Sequence, residues 1–166
     1  MDYTFHYESP LGGITLASDG EHLIGLWFDG QAHFAETLAP ENVEASLPVF
    51  DQTVRWLDVY FGGCVPNFTP PLRMRTTAFR RAVWETLLTI PYGQTATYGE
   101  IAARMGLPPM SARAVGGAVG HNAISIIIPC HRVVGANGRL TGYAGGVERK
   151  AALLRLEQMD SERLVR

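Results

Sequence analysis

Cysteine is scarce in this chain of 166 residues: only Cys64 and Cys130 are present. Two cysteines cannot build a disulfide framework, and this pair lacks the short spacing of a zinc knuckle. Cysteine chemistry would therefore use a free thiol, and no metal is expected. Long apolar runs are absent as well. Stretches such as Ile126–Ile128 fall far short of the roughly 20 residues that cross a bilayer, which excludes a helical membrane span. The opening residues MDYTFHYESP contain neither a basic nor an apolar segment of export-signal type, so a cytoplasmic location is expected. The composition is that of a globular protein, 46% hydrophobic and 18% charged, long enough for one large domain or two small ones.

Bases are nearly missing from the first part of the chain. Cut near Pro66, Pro70 and Pro71, residues 1–71 hold one base (Arg55) and ten acids, a net charge of −9. Residues 72–166 hold thirteen bases and six acids, a net charge of +7. Two readings fit this asymmetry: a second half that meets a polyanion, or a solvated basic face. The expected domains are accordingly 1–71 and 72–166.

Turn residues divide the first domain. Gly12-Gly13, Asp19-Gly20 and Asp29-Gly30 separate three apolar segments, Tyr3–Glu8, Ile14–Ser18 and His22–Phe28, which predicts a small antiparallel meander. A polar linker over Gln31–Pro48 leads to a helix in which Phe50, Val54, Leu57 and Phe61 recur at helical spacing before Gly62-Gly63. No catalytic cluster is visible in this α/β unit, and Trp27, Phe28, Trp56 and Tyr60 read as core.

In the second domain Thr77 can cap a helix with Phe79, Val83, Leu87 and Ile90 on its buried face. Thr97-Tyr98-Gly99-Glu100 is a capping box that opens a helix through about Met105. After the Leu107–Met110 turn, Ser111 is placed to cap a helix from Ala112 to about Val119, rich in Ala and Gly, with Arg113 its single charge. Two short helices about a tight turn fit a helix-turn-helix or an ordinary αα-hairpin. Small side chains on the second helix permit close approach of its backbone to a partner.

Ile124–Ile128 reads as a buried strand ended by Pro129, with Cys130 at its terminus. His131 and Arg132 beside that cysteine would favour thiolate, the nucleophilic form. In an extended chain adjacent side chains point apart, so His131 serves Cys130 only through a turn or a bridging water. Glu157 lies on a C-terminal helix, Val147 to about Met159, with Ala151 and Leu154 on its packed face. Folded back on His131, it would complete a Cys–His–Glu relay.

Ile-Pro-Cys-His-Arg-Val over residues 128–133 resembles the active-site signature of the O6-alkylguanine-DNA alkyltransferases. The resemblance continues through Ser111–Ala118, Asn122, Phe79-x-x-x-Val-Trp, Ile90-Pro-Tyr-Gly, Thr97-Tyr-Gly-Glu, Asn137-Gly, Thr141–Lys150 and Leu153-Leu-x-x-Glu157. It covers about the last 90 residues, and Ser9-Pro-Leu-Gly adds a weaker match.

This resemblance implies a ribonuclease-H-like α/β N-terminal domain and a mainly helical, winged-helix-like C-terminal domain containing the helix-turn-helix. It implies a single-turnover transfer of the alkyl group of O6-alkylguanine in duplex DNA to Cys130, and leaves O4-alkylthymine open. His131, held by Glu157, would take the thiol proton through a water, Asn122 would fix the active-site turn, and the Tyr98 hydroxyl would protonate the leaving guanine. Arg113 would replace the flipped-out base, with Ser111, Ala112, Ala114, Gly116, Thr97 and Tyr98 along the DNA and the helix in the minor groove. Val119, Val133, Tyr143, Ala144 and Gly145 would line the base pocket. A monomer that needs no cofactor or metal is the expectation. Ala123, Thr76 and Ala144 depart from the family's commoner residues.

Three other functions share parts of this pattern. A non-enzymatic relative that only binds lesions would have lost the acceptor cysteine. A helix-turn-helix regulator would need base-reading side chains beyond Arg113. A cysteine hydrolase would turn over small esters without DNA.

Overall fold

The computed structural model describes residues 1–157. The chain falls into two compact units: Met1–Arg75 together with Ala123–Ser125, and Thr76–Asn122 together with the chain from Ile126 onward. The first unit runs past the prolines because Leu23 and Leu72 form a bridge. The Leu23 N–H donates to the Pro71 carbonyl and the Arg73 N–H to the Leu23 carbonyl.

Strands β1 (Asp2–Ser9), β2 (Gly12–Ser18) and β3 (Leu23–Phe28) form the antiparallel meander that the turn residues predict. A fourth strand, β4 (Asn42–Glu44), pairs in parallel with β1, giving the sheet order β3-β2-β1-β4. In the sequence this stretch has the look of a linker, because all three β4 residues are exposed and no apolar alternation marks them. Helix α1 (Pro48–Phe61) buries Phe50, Trp56, Leu57 and Tyr60, and Phe50 stacks on Phe5 of β1 with ring centroids 5.7 Å apart. Trp27, Phe28, Trp56 and Tyr60 are all buried, as expected of core. Gly25 is required on β3: a methyl group there would run into the Trp27 indole. Asp2, nearly inaccessible, accepts two hydrogen bonds from Arg75 at 2.7 and 2.9 Å and one from the Ala39 N–H. The Arg75 guanidinium holds the Asp2 carboxyl below its usual range, and hydrogen bonds to a charged group contribute about 1.5–3 kcal/mol.

In the second unit α2 (Ala78–Leu87) begins where Thr77 Oγ1 accepts from the Arg80 N–H. Its buried residues are Val83, Trp84 and Leu87, and Phe79, expected in the core, is 39% exposed. Trp84 takes the buried place instead: its Nε1–H donates to the Ala118 carbonyl at 2.9 Å, which turns the packed face away from Phe79. Strand β5 (Ala96–Thr97) leads into α3 (Tyr98–Arg104), capped by Thr97 Oγ1 on the Glu100 N–H as the capping box predicts. Gly106 (φ +72°) follows its end. A 3-10 turn over Pro109–Ser111 precedes α4 (Ala112–Gly120). Ser111 makes no side-chain cap, contrary to expectation, because it already has helical angles (φ −74°, ψ −8°) rather than the extended ones of a capping residue.

Ile124–Ile128 is buried, as its composition demands, but it is not a strand. Only Ile124 bridges to Leu26, within the first unit, and Ile126 has φ +70°, which an extended segment does not permit. Short apolar runs have no period that separates a strand from a buried turn. The chain then forms a 3-10 turn at Cys130–Arg132, strand β6 (Val133–Val134) paired in parallel with β5, and α5 (Val147–Leu156). Ala151 and Leu154 of α5 pack with Val134 and Leu140, as their spacing predicts. The last two residues of the expected helix, Gln158 and Met159, lie outside the described residues. No described helix is long and apolar enough to cross a membrane.

Candidate active site

Pro129 halts the apolar segment and the next three residues form a tight turn, so consecutive side chains do not diverge as they would along a strand. Cys130 is 4% exposed and His131 fully buried. Asn122, itself buried, donates from Nδ2 to the Ile128 carbonyl at 2.9 Å and so closes the loop that leads into the cysteine. The Cys130 carbonyl accepts the Val133 N–H, which locks the turn from its other end.

Glu157 follows α5 and returns to this turn. Its Oε2 is 2.6 Å from His131 Nε2, and its Oε1 accepts from Arg132 Nε at 2.8 Å and from the Gly93 N–H at 3.0 Å. A carboxylate only accepts, so His131 Nε2 carries the hydrogen and Nδ1 is the basic nitrogen. Burial would raise the Glu157 carboxyl, but the bonds from His131 and Arg132 outweigh it and hold the group well below the usual carboxylate range. Burial also pushes His131 down, against the pull of Glu157. Burial thus favours the uncharged form of the imidazole, the form that can accept a proton.

The thiol behaves differently from the sequence expectation. Burial pushes Cys130 up from its ordinary value, outweighing the hydrogen bond from Asn122 and the charge of Lys150. Arg132, expected to help the thiolate, is turned into Glu157 instead. Cys130 thus rests as a thiol, and nucleophilic attack requires a base.

Lys150 escaped the sequence analysis. It is 1% exposed, its Nζ lies 3.4 Å from the Thr141 carbonyl and 3.5 Å from Thr141 Oγ1, and burial pushes it down to about 8. Thr141 Oγ1 in turn is 2.8 Å from the Tyr98 hydroxyl. Two signals pointed to Lys150: it is the only lysine in the chain, and it shares the stripe 147, 150, 151, 154 with the packed residues of α5.

The remaining expected residues lie around this centre and along α4. Val133 and Val119 are buried, Gly145 is buried, and Tyr143 and Ala144 are partly so, in a turn closed by the Gly146 N–H on the Tyr143 carbonyl. Arg113, Ala114 and Gly117 form the exposed side of α4, with Ser111, Ala112 and Gly116 half-buried. Thr97 and Tyr98 are half-buried at the start of α3, and the Tyr98 ring would lie 3.7 Å from a methyl at Gly116. Cys64, the other thiol, is exposed in the first unit.

Two family models match the chain in order. Residues 2–74 match the ribonuclease-like domain of 6-O-methylguanine DNA methyltransferase, and residues 78–159 match the DNA binding domain of the same family. A methylated-DNA–protein-cysteine methyltransferase of Mycobacterium bovis is 47% identical over 158 residues, 92% of each chain. Its namesake in Haemophilus influenzae is 44% identical over 161 residues, covering 95% of this chain and 87% of its own. The crystal structure of Mycobacterium tuberculosis OGT in complex with DNA superimposes with a TM-score of 0.83 at 45% identity, covering 99% of this chain and 94% of the other. The ribonuclease-like α/β unit followed by a helical DNA-binding unit is therefore the fold of the chain. With both family models matched over nearly its whole length and relatives this similar, the chain belongs to the 6-O-methylguanine DNA methyltransferase family.

Proposed function

We propose that this protein repairs DNA directly, moving the alkyl group of O6-alkylguanine onto its own Cys130 in one irreversible turnover. The observation that carries this reading is a buried thiol in the same turn as a histidine fixed by a buried carboxylate. His131 Nδ1 takes the thiol proton, through a water, and the thiolate sulfur attacks the alkyl carbon. An S–C bond forms, the C–O6 bond breaks with its electron pair going to the base, and a proton delivered by the Tyr98 hydroxyl neutralises the departing guanine. In net terms a thiol hydrogen is exchanged for the alkyl group. The thioether has no hydrolytic exit, so one molecule is consumed per lesion.

Duplex DNA is the partner, in keeping with the positive second domain, residues 72–166. O6 is inaccessible within the stack, so the nucleotide is flipped out at a cost of a few kcal/mol, with Arg113 filling the gap. Helix α4 lies in the minor groove, the base sits among Val119, Val133, Tyr143, Ala144 and Gly145, and the protein acts as a monomer. The residues present supply every step without a metal or organic cofactor.

The bare side of α4 supports close approach to DNA, because among the described residues nothing beyond the helix's own backbone lies within 4 Å of a methyl placed on Gly117. Gly117→Ala is expected to stabilise folding by about 0.5–1 kcal/mol, the usual gain in a helix interior. Gly117→Leu is expected to fold normally yet weaken binding to lesion duplex at least about tenfold, as bulk pushes the helix out of a narrow groove. Fluorescence anisotropy with labelled duplex checks this; unchanged affinity places another surface on the DNA.

The function itself is tested by mixing the protein with an equimolar duplex carrying one O6-methylguanine, followed by intact mass and peptide mapping. A gain of one CH2 on the peptide containing Cys130, with loss of the lesion, is the expected result. Lesion binding without any mass gain makes the protein a damage sensor and overturns the proposal.

A further inference from the structure

Four hydrogen bonds converge on the Glu157 carboxylate, and two come from Arg132. Besides Nε on Oε1, Arg132 Nη2 donates to Oε2 at 3.2 Å, so the guanidinium grips both oxygens. Its third nitrogen, Nη1, donates to the Ile90 carbonyl at 2.8 Å, and its carbon stands 5.7 Å from the centre of the Tyr92 ring. The Gly93 N–H of the same turn completes the set on Oε1. Arg132 is 9% exposed and the Glu157 side chain is inaccessible. This is far more than the relay of Cys130, His131 and Glu157 requires for its geometry.

Charge explains the excess. A buried carboxylate whose sole partner is a histidine draws a proton onto that histidine, since an unpaired buried charge is costly and an ion pair relieves it. An imidazolium cannot accept a proton from a thiol. With a permanent cation already fixed on both of its oxygens, Glu157 still orients His131 Nε2–H but no longer needs a charged imidazole. The charged groups that act on His131 are Glu157 after α5, Arg132 in its own turn and Lys150 from α5. Of these, only Glu157 favours a charged ring, and Arg132 and Lys150 oppose it.

We infer that Arg132 is a positioning residue of the transfer reaction, one that neutralises Glu157 and ties it to the Ile90–Gly93 turn so that His131 remains an uncharged base. The inference rests on the proposed reaction, and it assigns Arg132 a task distinct from packing. Lysine at this position would keep the charge while losing the planar fork that reaches both carboxylate oxygens and the Ile90 carbonyl together.

Single-turnover methyl transfer from lesion duplex, measured from about pH 5 to pH 9 for wild type, Arg132→Gln and Arg132→Lys, tests it in the window where histidine titrates. In Arg132→Gln the acid limb of the profile should move upward by at least about one pH unit, a tenfold loss of rate on that limb. Arg132→Lys should return the limb towards its wild-type position even where its maximal rate is lower. A folded Arg132→Gln protein with the wild-type limb position, merely slower at every pH, overturns the inference.

Nitrogen NMR of the His131 ring in the wild type stands independently of whether the variants fold. A neutral Nε2–H tautomer at pH 7 is expected, and an imidazolium at that pH overturns the inference. If the wild type transfers no methyl group, the proposed function fails, while the NMR result still reports on the charge of His131.

Discussion

Cys130→Ala is expected to yield a folded protein that binds lesion duplex and transfers nothing. The side chain is buried in a turn held by backbone bonds and by Asn122. Loss of one buried sulfur should therefore cost only about 1 kcal/mol, in the range of small core truncations. The chemistry, by contrast, has no substitute: alanine offers no lone pair to attack the alkyl carbon. Lesion content in the DNA should remain constant by chromatography of the released bases, and intact mass should show no gain. Methyl transfer that persists in this variant would move the acceptor elsewhere. Cys64, exposed in the first unit, would be the first position to map.

Glu157→Ala is expected to damage both stability and transfer. Removing the carboxylate strands a buried guanidinium, the His131 Nε2–H and the Gly93 N–H at once. Breaking a buried ion pair from one side costs about 3–5 kcal/mol, a large part of the roughly 5–15 kcal/mol by which a domain is stable. Loss of an oriented base should lower the transfer rate by about two orders of magnitude or more.

Acid should act on the same network in wild type. Glu157 is held below its unfolded value of 4.5, so its contribution is present above that pH and is lost as pH falls towards the folded value. His131 is pushed below its unfolded value of 6.5, and protonation of the unfolded chain therefore erodes stability from that pH downward. Urea midpoints should decline below pH 6.5 and more steeply below 4.5, whereas Glu157→Ala should lack the contribution of Glu157 to the lower decline.

Much of the site was legible because its residues sit close together in sequence. Cys130 and His131 are neighbours, and Thr97 and Glu100 announce α3 by their spacing. Legibility failed where the decisive partner was distant or the backbone unusual. Arg132 read as a field on the adjacent thiol, but its partner is 25 residues downstream. Lys150 drew no role of its own in the sequence, although it lies on the apolar stripe of α5. Ile124–Ile128 carried the composition of a strand, and the positive φ of Ile126 leaves no mark in residue type. In β4 the parallel pairing with β1 needs no buried face, so no periodicity betrayed it.

Ala123–Ser125 belongs to the first unit, where the Leu26 N–H donates to the Ala123 carbonyl and the Ser125 N–H to the Leu26 carbonyl. Those bonds occupy the backbone of Leu26 on β3, the end strand of the first sheet's order. Inheritance of the two units is therefore constrained in a way their contiguous family matches do not suggest. A recombination breakpoint at Arg75 would pass on a sheet with bare hydrogen-bonding groups on a buried apolar strand, the kind of edge that recruits other chains into aggregates. An ancestor that acquired the two halves separately would have needed a substitute for those three residues, and the gene as it stands is divisible only at that cost.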